Sequence, residues 1–150
     1  MISTTIKSFI QADLASVWHS VTSLYDYSWR SDIKDIEVSD ERHFKEISNE
    51  GYVTCFTITV LKPFLKYSFL MDNENFSGEW TGHFRQIENG TEIIFTEAIK
   101  LKKWWLYPFA WFYLRIQQKR YIADLKRKCE QWTNQPIILY VLCKLVNTIC

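Results

Sequence analysis

The sequence predicts an α+β fold: a curved antiparallel sheet of about seven strands, covered by one long C-terminal helix, with one or two short helices after the first strand. Three features of the sequence lead there. Between Ile33 and Leu101 apolar residues recur at every second position and are punctuated by short polar turns, as in strands linked by hairpins. After Leu101 the spacing changes to the three- and four-residue steps of a long helix. No linker, repeat or low-complexity tract interrupts the 150-residue chain before Thr133, which predicts one domain with a core of useful size.

The elements follow in order. STTIKSFIQA is rich in strand formers, notably Thr4, Thr5, Ile6, Phe9 and Ile10. Asp13 is a good N-cap, and Leu14, Val17, Trp18, Val21 and Leu24 then form one helical stripe. YDYSWRSD is a short helical or irregular stretch. Six strands come next: IKDIEV, HFKEI, YVTCFTITVL, LKYSFLMD, GEWTGHFRQI and TEIIFTEAIKL. Their alternation places Tyr52, Thr54, Phe56, Ile58 and Val60 on one face; Tyr67, Phe69 and Met71 on one face; Trp80, Gly82 and Phe84 on one face; and Ile93, Phe95, Glu97 and Ile99 on one face. Pro63 ends the third of these strands, and Asn89-Gly90 is the strongest hairpin signal. Pro108 suits the first turn of the last helix, where Trp111, Leu114, Ile122, Leu125, Cys129 and Trp132 fall near one stripe. Lys119, Lys126 and Arg127 face away, and Asp124 and Lys128 are spaced to pair on the surface. Consecutive hairpins give an antiparallel meander, and a meander this wide curls. Its concave apolar face needs a cover, and the last helix is the element long enough to provide it.

Composition narrows the function. With 18 basic and 17 acidic residues the chain has no overall field for nucleic acid. Cys55, Cys129, Cys143 and Cys150 are scattered and form no CxxC, and no signal peptide is read at Met1, so they are expected to be free thiols of a cytoplasmic protein. No apolar run reaches the roughly 20 residues of a bilayer crossing. Aromatic residues are 17% of the chain, more than a plain core of this size needs, which points to rings lining a cavity as well as filling a core. No HExxH, GxSxG, P-loop or GxGxxG is present, so neither a metal nor a nucleotide cofactor is expected.

The strings VW in ASVWHSV, WRSDIKDIEV, SGEWTGHFRQIENGTEIIFTE and QQKRYIADLKR, together with the element order, resemble the START-like or helix-grip (SRPBCC) superfamily, in particular its polyketide cyclase/dehydrase and lipid-transport branch. The resemblance implies a curved sheet gripping a long helix around an internal cavity. Members bind lipids, sterols, quinones, polyketides or plant hormones, and some are cyclases or aromatases. It makes residues 1–132 the helix-grip domain and residues 133–150 an apolar C-terminal extension, which could pack outside or mediate a homodimer.

Candidate site residues follow. Trp29-Arg30-Ser31-Asp32 comes where such folds close one cavity end; Trp29 could stack on a ligand and Arg30 fix a carboxylate or carbonyl oxygen, or Arg30 could simply pair with Asp32. Glu97, if its strand face is concave, is desolvated with a raised pKa and is the one candidate for proton chemistry; pairing with Arg85 or Arg30 is the structural alternative. Phe56, Tyr67, Trp80, Phe95, Phe109 and Phe112 are the candidates for cavity lining. His83 and Arg85 fall on the outer face, and the basic cluster KRYIADLKRK is read as a solvated helix face. Three functions stay open. The first is binding or transport of a hydrophobic or amphipathic small molecule. The second is a cyclase/dehydrase-type enzyme using the same cavity. The third is a membrane-surface or protein-interaction module using Trp104, Trp105 and the apolar tail.

Overall fold

The computed structural model describes residues 1–130. Strand β1 (Ile2–Ile10) leads into helix α1 (Leu14–Thr22). Asp13 caps that helix: its carboxylate accepts the Ser16 amide at 3.0 Å and the Ser16 hydroxyl at 2.6 Å. The segment from Ser23 to Asp32 is an irregular turn, and Leu24 belongs to it rather than to the helix. Six strands follow: β2 (Ile33–Val38), β3 (His43–Ser48), β4 (Val53–Lys62), β5 (Lys66–Asp72), β6 (Phe76–Ile87) and β7 (Gly90–Leu101). A single 3-10 turn, Trp104–Leu106, precedes helix α2 (Tyr107–Glu130). Pro108 sits in its first turn, where its missing amide costs no helical bond.

The seven strands form one sheet in the order β1-β7-β6-β5-β4-β3-β2, with every neighbouring pair antiparallel. The meander is therefore closed on its β7 side by β1, which supplies the early partner strand. Directly paired residues share a face. Thr4, Glu97, Trp80, Phe69 and Ile58 thus form one row across five strands, and Ile99, Gly78, Met71, Phe56 and Phe44 form the next. Both rows lie on the concave face.

Two local features depart from the sequence reading. A bulge in β4 between Ile58 and Val60 pairs Val60 with Ser68, so Val60 sits on the opposite face from Ile58, and Tyr52 precedes the strand. Such a bulge bends the sheet where it must curl. At the β6–β7 hairpin the turn residues are Glu88-Asn89, not Asn89-Gly90; Asn89 takes the left-handed φ of 63°, and Gly90 already pairs with Ile87. Gly90 is required for close approach instead, because a Cβ there would collide with the Ile10 carbonyl oxygen and the Phe9 ring.

Two clusters form the solid core. Ile10, Val17, Ile93 and Leu125 are fully buried where α1 and α2 meet the sheet, together with Trp18 and Phe84. Phe44, Phe56, Met71, Ile99 and Leu114 make the second, and Phe69 and Trp80 pack against both. On α2 the predicted stripe holds for Leu114, Ile122, Leu125 and Cys129. Trp111 departs from it: the ring is about half exposed and pairs with Phe112 at the surface. Trp132 and the extension 133–150 lie outside the described residues, as do Cys143 and Cys150; Cys55 and Cys129 are free thiols. Among the described residues no helix is long and apolar enough to cross a membrane.

Replacing Gly90 by Ala should lower the unfolding free energy by about 1–3 kcal/mol through overpacking against β1. Urea denaturation would measure it, and a loss below about 0.5 kcal/mol would show that the hairpin relaxes freely.

Candidate ligand cavity

Between the concave face, α2 and the turn before β2 lies a cavity of about 700 Å³. Part of its wall is a set of rings that brace one another. Phe44 and Phe56 stack at 4.7 Å, Phe69 and Trp80 stack at 4.9 Å, and Trp80 leans on Phe95 at 4.8 Å. Gly82 makes this possible, since a Cβ at that position would occupy the place of the Trp80 ring. Such contacts between rings fix each side chain against its neighbours, so the wall holds its shape around open space.

Of the nine residues proposed from sequence, eight line this cavity: Trp29, Arg30, Phe56, Tyr67, Trp80, Phe95, Glu97 and Phe109. Phe112 does not. It is 64% exposed and lies edge-on to Trp111 on the outside of α2. Helical geometry is the reason: at 100° per residue, positions 109, 110, 113, 114 and 117 face the cavity, while 111 and 112 face out. The aromatic stretch before the basic helix is therefore split. Leu106, Phe109 and Tyr113 border the cavity, although Phe109 and Tyr113 are also largely exposed, whereas Trp104 and Trp105 do not line it and touch each other edge-on at 6.2 Å.

One end of the cavity is closed by polar groups. Arg30 donates Nε and Nη2 to Asp32 at 3.0 and 2.7 Å, and Nη1 and Nη2 to Glu46 on β3, the latter at 3.2 Å. Its guanidinium also lies 5.2 Å from the Tyr121 ring centre. Burial alone would weaken its charge, but Glu46 and then Asp32 hold its pKa above the ordinary range. The predicted Arg30–Asp32 pair is thus real, although it is partly buried and shared with Glu46. Next to it, Ser31 donates its amide at 2.8 Å and its hydroxyl at 2.7 Å to Asp124 of α2. Arg127 also donates to Asp124, at 2.7 Å. Asp124 therefore does not pair with Lys128, which reaches Asp26 instead. The basic cluster is not simply solvated either, since Arg120 donates to the Ser31 hydroxyl and carbonyl, and Arg127 to the Trp29 carbonyl.

Glu97 faces the cavity from β7. Neither proposed partner reaches it: Arg85 pairs with Glu92, and Arg30 is taken by Asp32 and Glu46. Burial first, and the negative field of Glu46 second, push its pKa up to about 7. Burial also raises the phenols of Tyr67 and Tyr121. The sequence reading missed Glu46, Gln118, Tyr121 and Asp124. A signal existed for two of them: Glu46 shares the parity of Phe44, and Gln118 falls on the stripe between Leu114 and Ile122. No group of three His, Cys, Asp or Glu side chains placed to hold a metal occurs among the described residues.

A curled antiparallel sheet gripping one long helix around a lined cavity defines the helix-grip class. Comparison with solved structures gives the particular form, which is START-like. A START superfamily protein from Mycobacterium smegmatis superposes with a TM-score of 0.73 at 12% identity, over 87% of this chain and 97% of that one. A conserved protein from Geobacillus kaustophilus gives 0.74 at 12% identity, over 87% and 96%. DynU16, a protein in the dynemicin biosynthetic locus, gives 0.71 at 10% identity, over 86% of this chain and 47% of that one. No protein-family model and no curated protein matches the sequence.

The Glu97 shift has a sign that can be measured. A carboxyl raised from 4.5 to about 7 on folding is protonated in both states below 4.5 and costs nothing there. The cost grows as pH rises through 4.5 to 7, reaching on the order of 3 kcal/mol, and is constant above. Glu97→Gln should therefore gain stability relative to the wild type between pH 4.5 and 7, and carbon NMR of Glu97 should titrate near neutrality. A midpoint near 4.5 with parallel pH–stability curves would contradict this.

Proposed function

We propose that the protein binds a hydrophobic or amphipathic small molecule inside the cavity, in a carrier or receptor role. The carrying observation is the cavity itself. Its volume of about 700 Å³ falls within the range of small-molecule sites, and its lining combines aromatic rings and aliphatic side chains with many polar and charged groups, Arg30, Glu46 and Glu97 among them. Affinity would come mainly from apolar burial, at about 25 cal/mol per Å² before ordering costs. The START-like fold supports the reading, because members of that superfamily hold lipids, quinones or polyketides in the equivalent space.

Of the two parts the sequence offered Arg30, the pair with Asp32 is the one its hydrogen bonds favour. Its hydrogen bonds go to Asp32 and Glu46, so it shapes the cavity end and has little left for a ligand carboxylate. A second reading is favoured by one observation, the unpaired cavity carboxyl of Glu97 with a pKa near 7. Such a group can give or take a proton from a bound carbonyl compound, as a cyclase/dehydrase-type enzyme would require.

Native mass spectrometry of gently purified protein should show a retained small molecule that is released on denaturation. The extracted molecule, added back to wild-type protein, should be recovered unchanged. Its conversion by wild type but not by Glu97→Gln would favour the enzyme reading instead. A clean ligand-free mass, from protein expressed in several hosts, would count against both.

A further inference from the structure

The charge around the cavity is unbalanced. Four carboxyl groups line it, on Asp32, Glu46, Glu50 and Glu97, against two guanidiniums, on Arg30 and Arg120. Arg30 is shared between Asp32 and Glu46, and Arg120 donates to the Ser31 hydroxyl and carbonyl. No lysine or histidine is among the lining residues. Glu97 is left with neither a hydrogen bond nor an ion pair among the described residues. It is not sealed off: it lines the open space and keeps accessible surface, so a ligand in the cavity can reach it. Its neighbours on the concave face are apolar, with Trp80 directly across on β6 and Phe95 and Ile99 two residues away on β7. A carboxylate in such surroundings loses water and gains no partner, which is the costly way to bury a charge. A ligand that carries the opposite charge removes that cost.

We infer that Glu97 anchors the cationic head of an amphipathic amine whose apolar body lies against the ring wall. This rests on the cavity binding a small molecule at all. Charge and hydrogen bonding together select the ammonium. An anionic ligand meets a surplus of carboxylates, with both guanidiniums already engaged. An alcohol gives Glu97 a hydrogen bond but leaves its charge unmatched. An ammonium supplies the donor and the charge at once, and charge-assisted bonds are the stronger kind. The groups facing Glu97 favour the same choice. Glu46 on β3 adds negative field, and the phenols of Tyr67 on β5 and of Tyr113 and Tyr121 on α2 are pushed up by burial, so they stay neutral. Glu97 itself, with a pKa of about 7, ionises in a range where an alkylamine is still charged.

Three probes of similar shape test this on the full chain after ligand stripping: 2-naphthylmethylamine, 2-naphthylmethanol and 2-naphthoate, titrated calorimetrically at about pH 7.5. The wild type should bind the amine about tenfold tighter than the alcohol, and the carboxylate most weakly. Glu97→Gln should cut the amine preference to within about threefold while the alcohol binds no more weakly. Glu79→Gln removes the same charge from the exposed outer face of β6, beside Trp80, and should leave the preference intact. The wild-type preference should also fall about fivefold between about pH 7.5 and 5.5, as Glu97 takes up its proton, and should stay level in Glu97→Gln. That profile decides the matter from the wild type alone if Glu97→Gln does not fold. Equal binding of amine and alcohol by the wild type overturns the anchor and leaves cavity binding standing. So does tightest binding of the carboxylate, a preference that survives Glu97→Gln, or one that ignores pH. Binding of none of the three overturns the cavity reading and the anchor together.

Discussion

Asp124 is a carboxylate in the middle of the buried stripe of α2, and the open space beneath the helix depends on what it holds. It accepts from the Ser31 amide, the Ser31 hydroxyl and Arg127. Burial opposes its charge, but these bonds outweigh it and keep its pKa below the ordinary carboxylate range. Ser31 is covalently next to Arg30, and Arg30 grips Glu46 on β3. One polar chain thus runs from the helix through the turn to the far side of the sheet. On the other side, Arg115 and Gln118 donate to the Thr5 and Thr4 carbonyls of β1. With both sides tied, α2 spans the concave face without settling into its middle.

Protein interiors normally close up to crystal-like density, so a space of this size needs support. The rings of the wall provide it by stacking on each other, and the two buried clusters, which share Phe44, Phe56, Tyr67 and Phe95 with that wall, carry the stability that the cavity forgoes. Partly buried ion pairs such as Arg30 with Asp32 and Glu46 contribute little net stability, because desolvation consumes much of the attraction. Their value here is geometric: they fix where the turn, and hence Trp29, stands.

The architecture was readable from sequence because its signals are local. Period-two alternation from Ile33 to Leu101 and helical spacing after Tyr107 each depend on neighbours a few residues apart. The concave placement of Phe56, Tyr67, Trp80, Phe95 and Glu97 follows from the same parity. What could not be read is where long-range partners lie. Asp124 meets Ser31, 93 positions away, rather than Lys128 one turn along. Val60 changes face because of a bulge that alternation does not announce. Phe112 and Trp111 are as apolar as Phe109, yet only the direction in which α2 is docked decides that Phe109 borders the cavity and the other two do not; all three are exposed. Glu97 lacks a partner because both candidate arginines are engaged elsewhere, a fact of tertiary structure alone.

The direct test of an open apolar chamber is a crystal structure of ligand-stripped protein under xenon pressure, since xenon enters dry apolar voids without needing any specific chemistry. Xenon density between Trp80, Phe69 and Leu114, with α2 still joined to Ser31 through Asp124, is the predicted result. Side chains collapsed into that space, or α2 seated directly on β5 and β6, would contradict the account.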